Sequence, residues 1–213
     1  MTIAEALSTQ TQTPTAEDVA AASSTFSPIR WKTGWPHHLR RVPPFRDDAT
    51  ASLTRRDVFL FAQDVVDSGY NRDQIIDFLG AAFAYAAGQS NQVLQLQQFL
   101  RNKHNANQLL QAIRGIEGKD AVAAYGSLVA TGLAPKFASH LAYFLAGPQE
   151  AADEKPVIIC SKRAAAAGLE KTADWTAEDY AEYLAALKKA RDEYDASLPL
   201  DAVEYAIRKN AEN

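Results

Sequence analysis

The stretch that decides the fold is GLAPKFASHLAYF, residues 132–144. Gly132 and Pro135 punctuate it, and both residue types mark tight turns between helices. After the turn, Phe137, Leu141 and Phe144 recur at helical spacing, which predicts a helix over residues 136–146. Another helical pattern precedes the turn at residues 119–130. The stretch therefore predicts two helices joined by a tight hairpin, with Lys136 in the first turn of the second helix.

Helical spacing continues through most of the chain from residue 52 onward. Ser52 or Thr54, Asn71 and Thr176 are suited to cap three of these helices. No pairs of alternating strands are evident, so any sheet is expected to be a short two-stranded piece. We predict an all-α, two-lobed helical domain over residues 29–213, with a cleft between the lobes onto which Lys136 opens.

The first residues of the chain differ from this pattern. Residues 1–28 are dominated by Thr, Gln, Ser and Ala, which favours a disordered tail. The segment Trp31–Phe45 is interrupted by prolines but contains two tryptophans, which predicts an ordered extended arm packed on the body.

Composition limits the class of protein. The chain has 213 residues, 47% hydrophobic and 23% charged, with a formal net charge of −4, as in ordinary globular domains. Its single cysteine allows no internal disulfide, and no apolar stretch reaches the roughly 18 residues needed to span a bilayer. No signal peptide is evident. We expect a monomer in the cytoplasm, without membrane contact.

The segment Gly132–Phe144 resembles the helix–hairpin–helix of the base-excision DNA glycosylases. The sequence Lys-x-Ala-Ser-His at residues 136–140 is most similar to that of archaeal 8-oxoguanine DNA glycosylases. The segments at residues 59–62 and 201–206 resemble a bacterial branch of proteins with that fold. The resemblance implies a hairpin at about residues 119–147 that binds DNA.

This resemblance implies a site for each step of base excision. The turn residues Gly132, Leu133, Ala134 and Pro135 would hold a DNA phosphate, although the family's second glycine is replaced by Ala134. Lys136 would be the nucleophile, because a helix N-terminus and partial burial both lower the pKa of an ammonium. It would attack C1′ of a flipped nucleotide and form a Schiff base that permits strand cleavage. His140 and Phe137 would line the base pocket.

The catalytic aspartate of the family is less easily placed. The apolar run Val157–Ile159 resembles the stretch that precedes it, but the matching residue is Cys160, a poor substitute for a carboxylate. Glu154 is an alternative carboxylate in the preceding loop. Beyond the hairpin, we predict phosphate contacts from Arg40 and Arg41, which lie in a basic segment with two tryptophans, and from Lys162.

Three interpretations remain open. The first is a DNA glycosylase, possessing AP-lyase activity through a Schiff base, that acts on an oxidised or modified purine such as 8-oxoguanine. The second is a catalytically inactive protein of the same fold that binds damaged or modified DNA or a nucleotide, which Cys160 favours. The third is an acidic helical interaction protein. No metal or other cofactor is expected, because His37, His38 and His104 lack carboxylate or cysteine partners at ligand spacing.

Overall fold

The computed structural model describes Ser8 and residues 13–151, 153–159 and 173–212. Of the described residues, 63% are helical and 4% lie in strands, which confirms the all-α class. A division into two lobes stays a prediction. The ten helices of the described residues are α1 (Ala16–Ala21), α2 (Pro28–Gly34), α3 (Arg55–Asp67), α4 (Arg72–Ala87), α5 (Gln92–Arg101), α6 (Lys103–Arg114), α7 (Ala121–Val129), α8 (Pro135–Leu145), α9 (Ala177–Tyr194) and α10 (Leu200–Glu212).

Helix α4 forms the centre of the core. Its second half, from Phe78 to Ala87, is buried without interruption, as expected for a helix that is apolar on all sides. Helices α3, α5 and α8 pack against it. The C-terminal end of α4 is thereby brought beside the N-terminal turn of α8, where Lys136 lies.

Local signals explain where the helices begin. Thr54 and Thr176 form capping boxes with Asp57 and Asp179, at the starts of α3 and α9. The Asn71 side chain accepts a hydrogen bond from the Asp73 N–H at the start of α4. Each cap satisfies backbone donors that have no partner within the helix. The caps predicted at these three positions are therefore confirmed.

The N-terminal segment is ordered where the structure describes it. Strand β1 (Ser23–Phe26) pairs antiparallel with β2 (Ala51–Thr54), so that Phe26 lies opposite Ala51. The Phe26 side chain is 1% exposed, and its ring centroid lies 4.7 Å from that of Phe45. Val19 of α1 is also buried. The prediction of a disordered tail over residues 1–28 is therefore wrong for residues 16–26, because two apolar side chains and a strand pairing fix this segment.

The segment that follows was predicted to be extended but contains helical turns. Helix α2 is followed by a 3₁₀ turn at His37–Leu39. Trp31 and Trp35 are buried and pack edge to face with centroids 6.2 Å apart. The tryptophans therefore anchor the segment as expected, although its backbone is helical between the prolines.

No helix in the described part of the chain combines the length and apolar character needed to cross a membrane.

Candidate active site

A large cavity lies beside the N-terminus of α8. Its volume is about 870 Å³, within the range of small-molecule and cofactor pockets. Lys136 and His140 of α8 line it together with residues from the end of α4 and the start of α5. Further lining residues are Ser24, Ile158, Ile159, Ala173, Asp174, Trp175 and Arg208. The cavity therefore brings a lysine, a histidine, a carboxylate and an arginine to one space.

The turn before α8 sets the position of Lys136. Gly132 has φ +83°, a conformation that favours glycine. Ala134 has φ −60° and ψ 142° and precedes Pro135, the first residue of α8. The second glycine of the family hairpin is not needed here, because an alanine adopts this backbone conformation without strain.

Lys136 is held from several sides. Its Nζ donates a hydrogen bond of 2.8 Å to Gln92 Oε1 and lies 5.5 Å from the centroid of the Phe137 ring. Its carbonyl oxygen accepts hydrogen bonds from Ser139 Oγ at 2.8 Å and His140 Nδ1 at 2.7 Å. Because a carbonyl oxygen only accepts, Nδ1 carries a proton, which leaves Nε2 as the acceptor nitrogen of the neutral ring. Both α5 and α8 therefore fix the lysine at the cavity.

The irregular segment Val157–Ile159 is tied to this turn of α8. Ile159 N donates to Ser139 Oγ at 3.0 Å, and the Tyr180 hydroxyl of α9 bonds both N and O of Val157. The three residues are buried, as predicted for an extended apolar run. Two predicted site residues follow directly, Cys160 and Lys162, and both lie outside the described residues.

A buried polar network supports the opposite wall of the cavity. Arg55 is fully buried and donates to Glu204 Oε2 at 2.7 Å, to the Tyr143 hydroxyl at 3.2 Å and to the Tyr85 hydroxyl at 3.3 Å. The Tyr85 hydroxyl also accepts a hydrogen bond of 3.3 Å from Arg208. Because Tyr85 and Arg208 line the cavity, the network fixes side chains in its wall.

A second part of the network involves Asp201. The Tyr143 hydroxyl donates to Asp201 Oδ2 at 2.8 Å. Burial raises the pKa of Asp201, while the hydrogen bond from Tyr143 and the charge of Arg55 oppose that rise. Burial likewise raises the pKa of Tyr143 far above its usual value, so this hydroxyl remains a donor.

Two predicted site residues lie away from the cavity wall. Phe137 is buried in the core, with its ring 5.9 Å from that of Phe83 and edge to face with it. Glu154 forms an ion pair with Lys188 in a different groove, beside α7 and α9. The hydrogen bond from Lys188 lowers the pKa of Glu154. The structure therefore does not bring Glu154 to Lys136.

The predicted basic contacts Arg40 and Arg41 lie near the other end of α4. Arg41 forms a two-pronged ion pair with Asp77, and this hydrogen bond raises the pKa of Arg41. Arg40 is exposed, in a left-handed conformation after the 3₁₀ turn. Asp77 and Gly88 are eleven residues apart on and just after α4, which corresponds to roughly 16 Å along its axis. Tyr85, the first α4 residue that lines the cavity, is eight residues after Asp77, or roughly 12 Å along the axis, and neither arginine lines the cavity.

Asp174 is the cavity carboxylate that the sequence analysis did not single out. It is exposed and has φ +52°, immediately before the buried Trp175. No motif marks it, because its position depends on a left-handed turn before α9. Within the described residues, no group of three or more His, Cys, Asp or Glu side chains could hold a metal ion.

Comparison with known proteins agrees with the resemblance seen in the sequence. The family described as "Putative 8-oxoguanine DNA glycosylase OGG-like protein" matches residues 17–207, which is most of the chain. No curated protein and no solved structure matches it. The match includes the turn, Lys136 and every residue that lines the cavity except Arg208. The chain therefore belongs to this OGG-like family.

Proposed function

We propose that this protein removes an oxidised purine such as 8-oxoguanine from DNA and cleaves the strand through a Schiff base on Lys136. The observation that carries the proposal is the amine of Lys136 at a large cavity, just after a tight turn between two helices. Enzymes that act on a base in duplex DNA must flip the nucleotide into such a pocket. Membership of the family supports the same chemistry.

The turn is suited to hold the backbone of the DNA. The N–H groups of Leu133 and Ala134 donate no hydrogen bond to the described part of the chain, whereas the Gly132 N–H donates one to Val129 O. Backbone donors at a helix N-terminus attract phosphate through both hydrogen bonding and the helix dipole. A phosphate bound there would bring the neighbouring nucleotide to Lys136, two residues after Ala134.

The chemistry begins with loss of a proton from the Lys136 ammonium. The neutral amine attacks C1′, the N-glycosidic bond breaks, and its electron pair leaves with the base, which takes up a proton. Ring opening of the sugar then gives an iminium between Nζ and C1′. Removal of a C2′ proton breaks the C3′–O bond and expels the 3′ phosphate, and water regenerates the amine by hydrolysis.

We further propose that Asp174 supplies the carboxylate of the site. A carboxylate beside the developing positive charge on the sugar stabilises the transition state by electrostatics. Asp174 lines the same cavity as Lys136, whereas Glu154 is paired with Lys188 elsewhere. His140 also lines the cavity and offers a second proton acceptor through Nε2. Asp174→Asn should therefore slow base release without abolishing DNA binding.

The test is base release and strand cleavage on a duplex with a single 8-oxoguanine. The wild-type protein should release the base and nick the strand, and Lys136→Gln should do neither while retaining DNA affinity. Lys189→Gln is the matched control, because Lys189 is exposed on α9 and, within the described part of the chain, its one ion pair is a 4.0 Å contact with Glu193. Base release by Lys136→Gln at the wild-type rate would refute the proposal.

The alternative is a protein of this fold that binds damaged DNA without cutting it. The observation that favours it is Cys160, which stands where the family resemblance of the sequence implies an aspartate. On this account the wild-type protein binds the lesion but releases no base. Cys160→Asp would then be the informative variant. If the missing carboxylate is what keeps the wild-type protein inactive, a carboxylate restored at position 160 should produce excision.

A further inference from the structure

The side chain of Lys136 contacts α5 as well as its own helix. Its Nζ lies 2.8 Å from Oε1 of Gln92, the first residue of α5, and the two residues are 44 positions apart in the chain. An ammonium group only donates hydrogen bonds, so the amide oxygen is the atom of Gln92 that faces it. Both residues are partly buried and line the cavity. The amine is therefore bonded to a neutral acceptor from a different helix.

The turn between α4 and α5 fixes the backbone of Gln92. Ser90 Oγ donates a hydrogen bond of 2.6 Å to Ala87 O and accepts one of 3.3 Å from the Gln92 N–H. The same turn is bonded to α2, because Arg30 donates to Gln89 O at 3.1 Å. The start of α5 is thus held both by α4 and by α2, and the Gln92 side chain extends from a fixed point toward the lysine.

Other elements bring charged and titratable groups to the same cavity. Among the described residues that line it, these groups are Tyr85 of α4, His140 of α8, Asp174 before α9 and Arg208 of α10. The lining residues from β1 and α5 are neutral, namely Ser24, Gln92 and Gln95. The one carboxylate and the one guanidinium of this set carry opposite charges, and Gln92 adds no charge beside the amine.

An amine attacks carbon through its lone pair, which the ammonium form lacks. The neutral amine has one lone pair and two N–H bonds, so an acceptor that retains one N–H limits the directions open to the lone pair. Such control matters because attack requires reacting atoms about 3–3.5 Å apart with aligned orbitals. A carboxylate would give the same control but would also stabilise the ammonium and oppose the loss of its proton. A neutral amide oxygen is therefore suited to hold a lysine nucleophile.

We infer that Gln92 is a positioning residue, which directs the Lys136 amine into the cavity and, being uncharged, leaves the amine able to lose its proton. Gln92 acts through the lysine and needs no contact with the DNA. The inference rests on the proposed function for the role of Lys136 as the nucleophile. The effect of position 92 on the protonation of Lys136 is measured independently of catalysis.

Two substitutions separate the two parts of this role. Gln92→Glu keeps an acceptor but adds a charge, which should raise the pKa of the Lys136 amine by about one unit. Its rate of base release should fall about tenfold at pH 7 and return to the wild-type rate about one pH unit higher, a recovery that a folding defect cannot produce. Gln92→Met removes the acceptor, so its rate should fall about tenfold or more at every pH while DNA affinity is unchanged.

The first measurement is the pH dependence of Lys136 acetylation by dilute acetic anhydride, followed by peptide mass spectrometry, with the exposed Lys189 as the internal reference. The second is the single-turnover rate of base release from a duplex with 8-oxoguanine, from pH 6 to pH 10. Gln98→Glu is the matched control, because Gln98 is exposed on the same helix and does not line the cavity. It should match the wild type in both measurements.

The two measurements also separate this inference from the proposed function. An unchanged Lys136 titration in Gln92→Glu, or a Gln92→Met protein as fast as the wild type, overturns the inference even if the wild type excises bases. A raised Lys136 pKa in Gln92→Glu, absent from Gln98→Glu, supports the inference. If the wild type then releases no base, the proposed function fails while the control of the Lys136 amine by Gln92 stands.

Discussion

The buried pair Arg55–Glu204 offers the sharpest prediction about stability. Both side chains are 0% exposed, and their atoms are 2.7 Å apart. Replacing Arg55 with methionine keeps an unbranched side chain but leaves the Glu204 carboxylate without its cationic partner. The Tyr143 and Tyr85 hydroxyls also lose a donor.

Breaking one side of a buried ion pair costs about 3–5 kcal/mol. In a chain of this length, each kcal/mol lowers the melting temperature by about 2–4 °C, so Arg55→Met should lower it by roughly 10 °C. Removing both charges is less harmful than removing one, because no unpaired charge remains buried. The double variant Arg55→Met/Glu204→Leu should therefore be more stable than Arg55→Met alone.

Thermal and urea unfolding of the wild type, both single variants and the double variant completes the cycle. The coupling free energy between the two sites should exceed about 2 kcal/mol. Losses that simply add, or a loss below about 1 kcal/mol for Arg55→Met, would refute the view that this pair is a buried, mutually dependent unit.

Three further predictions concern the turn, the N-terminal strand and pH. Gly132→Ala should lower the free energy of unfolding, measured with urea, by about 1–2 kcal/mol. The loss comes from the positive φ of this residue alone, because an added Cβ would contact Phe99 at an ordinary 3.9 Å. Phe26→Ala should lower the free energy of unfolding by about 3–5 kcal/mol in the same assay, whereas a substitution in a disordered segment would leave it unchanged. Burial raises the pKa of the Asp201 carboxyl in the folded protein above its value in the unfolded chain. Asp201 therefore contributes most to the free energy of unfolding below the pKa of the unfolded state, and this contribution is lost as the pH rises through the pKa of the folded state. Asp201→Asn should therefore gain stability relative to the wild type between pH 4 and pH 7, and a melting-temperature difference that does not change with pH would contradict this.

The sequence predicted the parts of the site that depend on local patterns. Gly132, Pro135 and the helical spacing after them placed Lys136 in the first turn of α8, and the structure has it there. The caps at Thr54, Asn71 and Thr176 follow equally from short-range rules. Such features depend on residues three or four positions apart, which a single sequence displays directly.

The missed parts depend on contacts between distant residues. Arg55 and Glu204 are 149 positions apart, and no periodicity links them. Asp174 reaches the cavity through a left-handed turn before α9, and Glu154 is drawn away from it by Lys188. Phe26 is an apolar residue within a mostly polar segment, and its pairing with Ala51, 25 positions later, fixes it in place. In each case the three-dimensional neighbour, rather than the local pattern, decides the role.

The central claim is that Lys136 is the nucleophile. Its most direct test is borohydride reduction of the protein on a duplex with 8-oxoguanine, followed by peptide mass spectrometry of the trapped adduct. Reduction converts the iminium into a stable secondary amine, so the modified residue can be identified. The account predicts one modified peptide, bearing the deoxyribose remnant on Lys136, and no adduct from Lys136→Gln. An adduct on another amine, or undiminished trapping in Lys136→Gln, would contradict it.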